Sequence, residues 1–197
     1  MYDVVCFGEA MVRFSCFNFE RLEQANALRM TVGGSELNSA VGLARLGLKS
    51  AWVSKLTTNP LGRFITTNAK AHGVDCQHVV WTRDHRIGLY FLEAGANPRA
   101  SQVIYDRKGT AIASMTPGDV DWERVISGAK VFHVSGITPA LSASCRETTA
   151  AAIATARRLG CQVSFDLNFR ARLWSADEAR SCLSALLPQV NVLISTS

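Results

Sequence analysis

The stretch "VGGSELNSAVGLARLG", Val32 to Gly47, decides the fold. Paired glycines run directly into residues with helical spacing. Leu37, Ala40, Val41, Ala44 and Leu48 put an apolar stripe on one side of a helix over residues 36–46. Gly47 then acts as its stop. Ser35 is expected to cap the helix, with the following amides pointing outward and carrying a partial positive charge. Gly33 and Gly34 are expected to permit a positive φ and the close approach of a ligand. Asn38, in the first turn, offers both a donor and an acceptor, which suits a sugar hydroxyl. Taken alone, a plain strand–turn–helix junction explains these residues equally well.

Working outward, strand-like and helix-like segments alternate. "DVVCFG" (3–8), "SAWVSKL" (50–56), "KVFHVSG" (130–136), "CQVSFDLN" (161–168) and "VNVLIS" (190–195) read as strands. "LGRFITTNAKAHG" (61–73) reads as a helix closed by Gly73. Ser142 caps an Ala-rich helix that runs to about Leu159, with Gly160 as its stop, and Ser175 caps a helix over "SADEARSCLSALL". This alternation predicts an α/β fold with a largely parallel sheet covered on both faces. One region breaks the pattern. "IGLYFLEAGANPRASQVIYDRKG" (87–109) is two alternating runs around a Gly/Pro/Asn turn, hence a β-hairpin, with "MVRFSCF" (11–17) pairing nearby.

Composition narrows the function classes. The 197 residues are 48% hydrophobic and 19% charged, enough for one α/β domain with a real core. The net charge of +5 comes from scattered Lys and Arg, with no aromatic-basic stripe, so nucleic acid is not an expected partner. No run of about 18 apolar residues suggests a membrane span, and "MYDVVCFGEA" reads as a first strand rather than a signal peptide. Cys6, Cys16, Cys76, Cys145, Cys161 and Cys182 form no CxxC, which fits reduced thiols and a cytoplasmic protein. His133 reads as a core histidine and Trp174 as a packing residue. Asp166, Asn168 and Arg170 alternate just past a strand end, where a buried apolar strand has no need of them, so a polar site is expected there.

The spacing Gly-Gly-x-x-x-Asn-x-Ala, with Gly47 after the helix, resembles the first signature of the ribokinase-like (PfkB) carbohydrate kinases. "NPLGRF", "HGVD", "YFLEAGANPRASQVIYDR", "HVSGITPALS" and "VSFDLNFRARLW" extend the resemblance along the chain, closest to the 2-keto-3-deoxygluconate kinases of that family. Thr57 departs from the broad pattern, which often has a third glycine there.

The resemblance implies a three-layer, mostly parallel ribokinase-like sheet in a single domain over 1–197, with small β-lid segments near 11–32 and 86–108. It implies a sugar-acid substrate bound by Gly34, Asn38, Tyr90, Tyr105, Arg107, Ile137, Asn168 and Arg170. The Arg107 fork suits a carboxylate, and Tyr105 shares its face by alternation. Asp166 is expected to orient Arg170, and Glu9 to approach the sugar from below the lid. ATP and Mg²⁺ are the family's cofactors, and a homodimer through the lid is open. Neutral-sugar kinases and a non-catalytic sugar-acid binder are the alternatives. Family members continue past "VLISTS" into a glycine-rich segment with a catalytic Asp. The chain is therefore expected to be the N-terminal part, either of a longer enzyme or as a short relative, and no residue is assigned as general base. A sheet ending here is expected to leave apolar surface and a strand edge uncovered near "VNVLIS".

Overall fold

The structure, a computed structural model, describes residues 1–195. The first strand, β1 (Val4–Phe7), is buried along its whole length and sets the architecture. β2 (Met11–Ser15) and β3 (Arg29–Gly33) follow, then α1 (Ser35–Arg45). β4 (Ser50–Val53) and β5 (Lys55–Thr57) precede α2 (Pro60–Ala71) and β6 (Val80–Thr82). The hairpin is β7 (Leu89–Glu93) and β8 (Gln102–Asp106). α3 (Trp122–Ile126), β9 (Val131–Ser135), α4 (Ile137–Ala140), α5 (Ala143–Arg158), β10 (Gln162–Asp166), α6 (Ala176–Leu186) and β11 (Val192–Ile194) complete the described α-helices and strands.

Among the described residues, five strands form a parallel sheet in the order β11-β10-β9-β1-β4. Alternation along β1 splits the interior into two cores. Val5 and Phe7 pack with Ile126, Ile153 and Leu183 of α3, α5 and α6, while Val4 and Cys6 pack with Leu37, Ala40 and Ile65 of α1 and α2. The α/β sandwich has helices on both faces, as the alternating segments predict. A second sheet, β3-β2-β7-β8, stands apart from the first. The hairpin pairs Tyr90 with Tyr105, and β2 joins it in parallel, so "MVRFSCF" does pair where expected, though the strand stops at Ser15.

Several local expectations are corrected. "SAWVSKL" is two strands, because after Val53 the chain leaves the main sheet and β5 pairs with β6 instead. Leu48 lies past the end of α1 and is exposed, so the apolar stripe ends at Ala44. The strand β11 is confirmed in place. It is an outer strand of the five, and Val192, Leu193 and Ile194 are each about half exposed. Five of the six cysteines are buried. His133 is buried in β9 with Nδ1 3.1 Å from Ser164 Oγ, and Trp174 is buried in the core. No described helix is long and apolar enough to cross a membrane.

Two of the expected helix caps, at Ser142 and Ser175, fall where the sequence puts them. Ser142 Oγ accepts from the Cys145 amide at 3.0 Å, and Ser175 and Glu178 form a reciprocal capping box. Ser142→Ala removes one of these bonds from the longest helix described. Urea unfolding should show a loss of about 1 kcal/mol with an unchanged slope.

Candidate functional site

Strand order places the site. From β1 the chain steps to β4 on one side, and later to β9, β10 and β11 on the other. Loops leaving the carboxyl ends of β1 and β9 therefore diverge, and a crevice opens between them. A cleft of about 300 Å³ lies there, roofed by the small sheet. Glu9 reaches it from the end of β1, Ile137 from the end of β9, and Asn168 and Arg170 from the end of β10. The end of β3 supplies Gly33, the start of α1 supplies Gly34, Ser35, Glu36 and Asn38, and the hairpin supplies Tyr90, Tyr105 and Arg107. All eight residues singled out in the sequence line this one cleft.

The hairpin face is aromatic and cationic. Tyr90 and Tyr105 lie directly across from each other with ring centroids 5.7 Å apart and planes inclined by 32°. Arg107 follows β8, and its guanidinium carbon sits 5.3 Å from the centre of the Tyr105 ring. Its fork is not free, because one Nη donates to Glu9 Oε2 in a buried ion pair. Burial pushes the Glu9 carboxyl up to about 7, with the neighbouring Arg107 charge holding it back. Glu9 thus approaches the cleft as expected, but as the partner of Arg107. Arg172, past the cleft, donates to the Val103 carbonyl at 2.9 Å and ties the β10 loop to the hairpin.

The glycine pair works differently from the expectation. Neither Gly33 nor Gly34 lies in the left-handed region; Gly34 is extended, at φ 178°. What comes close is the protein itself. A Cβ on Gly33 would overlap the Tyr90 hydroxyl, and one on Gly34 would overlap the Glu9 carbonyl oxygen. Gly34, not Ser35, occupies the cap position, and Ser35 is the first helical residue. The Ser35 hydroxyl is thereby released to accept from Asn168 Nδ2 at 2.9 Å. Asn168 itself sits at φ 36°, a left-handed turn that asparagine tolerates. Asp166 Oδ1 accepts from the Asn168 amide at 3.1 Å and makes no ion pair with Arg170 among the described residues. The turn draws Asp166 back onto its own backbone, which leaves Arg170 exposed at the cleft mouth.

Glu36 was not legible as a site residue. In the sequence it is simply an acid in a first helical turn. In the fold it is fully buried and accepts from the Ser135 amide (3.1 Å), Ser135 Oγ (2.7 Å) and Thr138 Oγ1 (2.9 Å). It fixes the β9–α4 turn that carries Ile137, whose own amide donates to Ser135 Oγ at 3.2 Å. A Cβ on Gly8 would overlap its carboxyl group. The signal that could have found it is the Ser-Gly-Ile-Thr turn after β9, whose two hydroxyls face α1.

Residues 1–197 match the pfkB family of carbohydrate kinases over their whole length, and the chain belongs to that family. It is 43% identical to the 2-dehydro-3-deoxygalactonokinase of Haloferax volcanii, over 98% of this chain and 60% of that protein. It is 34% identical to the 2-dehydro-3-deoxygluconokinase of Bacillus subtilis, over 87% of this chain and 53% of that protein. The crystal structure of a 2-dehydro-3-deoxygluconokinase from Thermotoga maritima superposes with a TM-score of 0.96 at 40% identity, covering 99% of this chain and 60% of that one. The chain thus spans a little over half the length of these relatives, and over that span it has their ribokinase-like α/β fold.

The two glycines make separable demands. Gly33→Ala should cost about 1–3 kcal/mol by overpacking, and a second change, Tyr90→Phe, should restore part of it by removing the hydroxyl. Gly34→Ala meets backbone and should gain nothing from Tyr90→Phe. Thermal melts of the four variants check this.

Proposed function

We propose that this chain carries the sugar-acid site of a kinase that phosphorylates 2-keto-3-deoxygluconate with ATP. The observation that carries this reading is the convergence of Arg107 and Arg170 on one small cleft beside two tyrosines. A neutral sugar needs no guanidinium. A sugar acid needs a cation with planar geometry, and arginine supplies it.

Each side chain has a defined task in this reading. Arg170, with no ion-pair partner among the described residues, meets the substrate carboxylate from the cleft mouth, and Arg107 meets it from beneath the hairpin. The Tyr90 and Tyr105 rings bracket the carbon chain. Asn38 and the Asn168–Ser35 pair address the hydroxyls. The Gly34 and Ile137 backbones form the floor. The small sheet serves as a lid that excludes water, and the Arg172–Val103 bond latches it.

Phosphoryl transfer draws on ATP as donor and Mg²⁺ to neutralise the phosphates. Among the described residues no three His, Cys, Asp or Glu side chains gather to hold a metal ion.

Calorimetry with 2-keto-3-deoxygluconate and with its carboxamide tests the reading. The acid should bind, and Arg170→Ala should weaken it roughly 10- to 100-fold, the worth of a hydrogen bond to a charged group. The carboxamide should bind weakly and respond little to Arg170→Ala. Equal affinity for both ligands would favour a neutral-sugar site instead.

A further inference from the structure

Two buried carboxyl groups, Glu9 and Glu36, and the largely buried guanidinium of Arg107 lie against the cleft. Glu9 is 2% exposed, with one oxygen on Arg107 and the other, Oε1, without a hydrogen-bond partner. Arg107 leaves its Nε buried and equally unpartnered. Glu36, also buried, has a satisfied Oε1 and an unpartnered Oε2. Of the two carboxyl groups only Glu9 is paired with the guanidinium. A ligand carboxylate arriving at Arg107 competes with Glu9 for the same donors. An unmatched buried charge is costly, and a carboxylate escapes that cost by binding a proton.

We propose that Glu9 is a positioning residue that holds Arg107 ready before substrate binds, then yields it to the substrate carboxylate and takes up one proton from solvent. The exchange balances. Glu9 gains an O–H bond, the guanidinium keeps its charge, and the substrate remains a carboxylate. The role presupposes the sugar-acid site proposed above.

The surroundings of Glu9 favour this exchange. Arg107 faces it from the end of β8 and Glu36 from α1. Tyr90 of β7 and Arg170 of the β10 loop line the same cleft, and Cys145 of α5 feels its charge. Met11 lines the cleft beside Glu9, and a Cβ on Gly88 would lie 3.3 Å from Glu9 Oε1; among the described residues Arg107 is the ion-pair partner of Glu9. With Arg107 in place the carboxyl already sits at about 7, held up by burial, and loss of the guanidinium raises it further. Above pH 7 the proton comes from an ever more dilute pool. Sugar-acid affinity should then fall toward ~10-fold per pH unit, while a neutral analogue shows no such trend.

Calorimetry of the chain with 2-keto-3-deoxygluconate at pH 8, in buffers of different ionisation enthalpy, reads the proton directly. The expected result is uptake approaching about one proton per ligand, and none in Glu9→Gln. Binding with no buffer dependence would overturn the exchange and leave the sugar-acid site standing. No binding between pH 6 and 8 would overturn the site itself and the exchange with it. Infrared titration of the ligand-free chain supplies a readout that needs neither ligand nor variant. A protonated-carboxyl band should disappear near pH 7, and a Glu9 that titrates in the usual carboxylate range would also overturn the proposal.

Discussion

The buried ion pair between Glu9 and Arg107 is the contact on which the cleft depends. It joins the first turn after β1 to the end of the hairpin, and so joins the main sheet to the small one. A pair so far from water is a poor source of net stability, because the desolvation of both charges offsets most of their attraction. Its consequence is geometric. With Glu9 fixed by the end of a fully buried strand, Arg107 has one place to go. It lies beneath the hairpin, against the Tyr105 ring, facing the cleft. Breaking either half would strand the other charge in the interior.

The rest of the site is arranged around that pair by topology. Because β1 lies between β4 and β9, the loops from β1 and β9 leave in different directions and cannot cover the strand ends. The glycine pair lets α1 start hard against the Glu9 backbone and the Tyr90 hydroxyl. That closeness brings Asn38 to the cleft and sinks Glu36 beneath it. Glu36 in turn holds the β9–α4 turn through three hydrogen bonds. Small glycines and one buried acid thus set the distance between the helix start and three strand ends.

The sequence reveals what is local. The caps at Ser142 and Ser175, the hairpin at 87–109 and the α/β alternation all depend on residues a few positions apart, and all stand in the fold. The eight site residues were named from motifs and resemblance, and the fold gathers them into one cleft. The partners were hidden. Glu9 and Arg107 are 98 residues apart, and Glu36 and Ser135 are 99 apart. No spacing rule spans such distances. Asp166 departs from its expected role for the opposite reason, since the left-handed turn at Asn168 brings that residue's amide, two positions on, to its carboxylate. The glycines were rightly seen as sites of close approach, but the approaching atoms belong to the chain.

The most direct test of the account is a crystal structure of the chain with 2-keto-3-deoxygluconate bound. The carboxylate should lie between the two arginines, with oxygens within about 3 Å of nitrogens on both Arg107 and Arg170. A bound sugar whose carboxylate points away from both, or reaches only solvent, would contradict it.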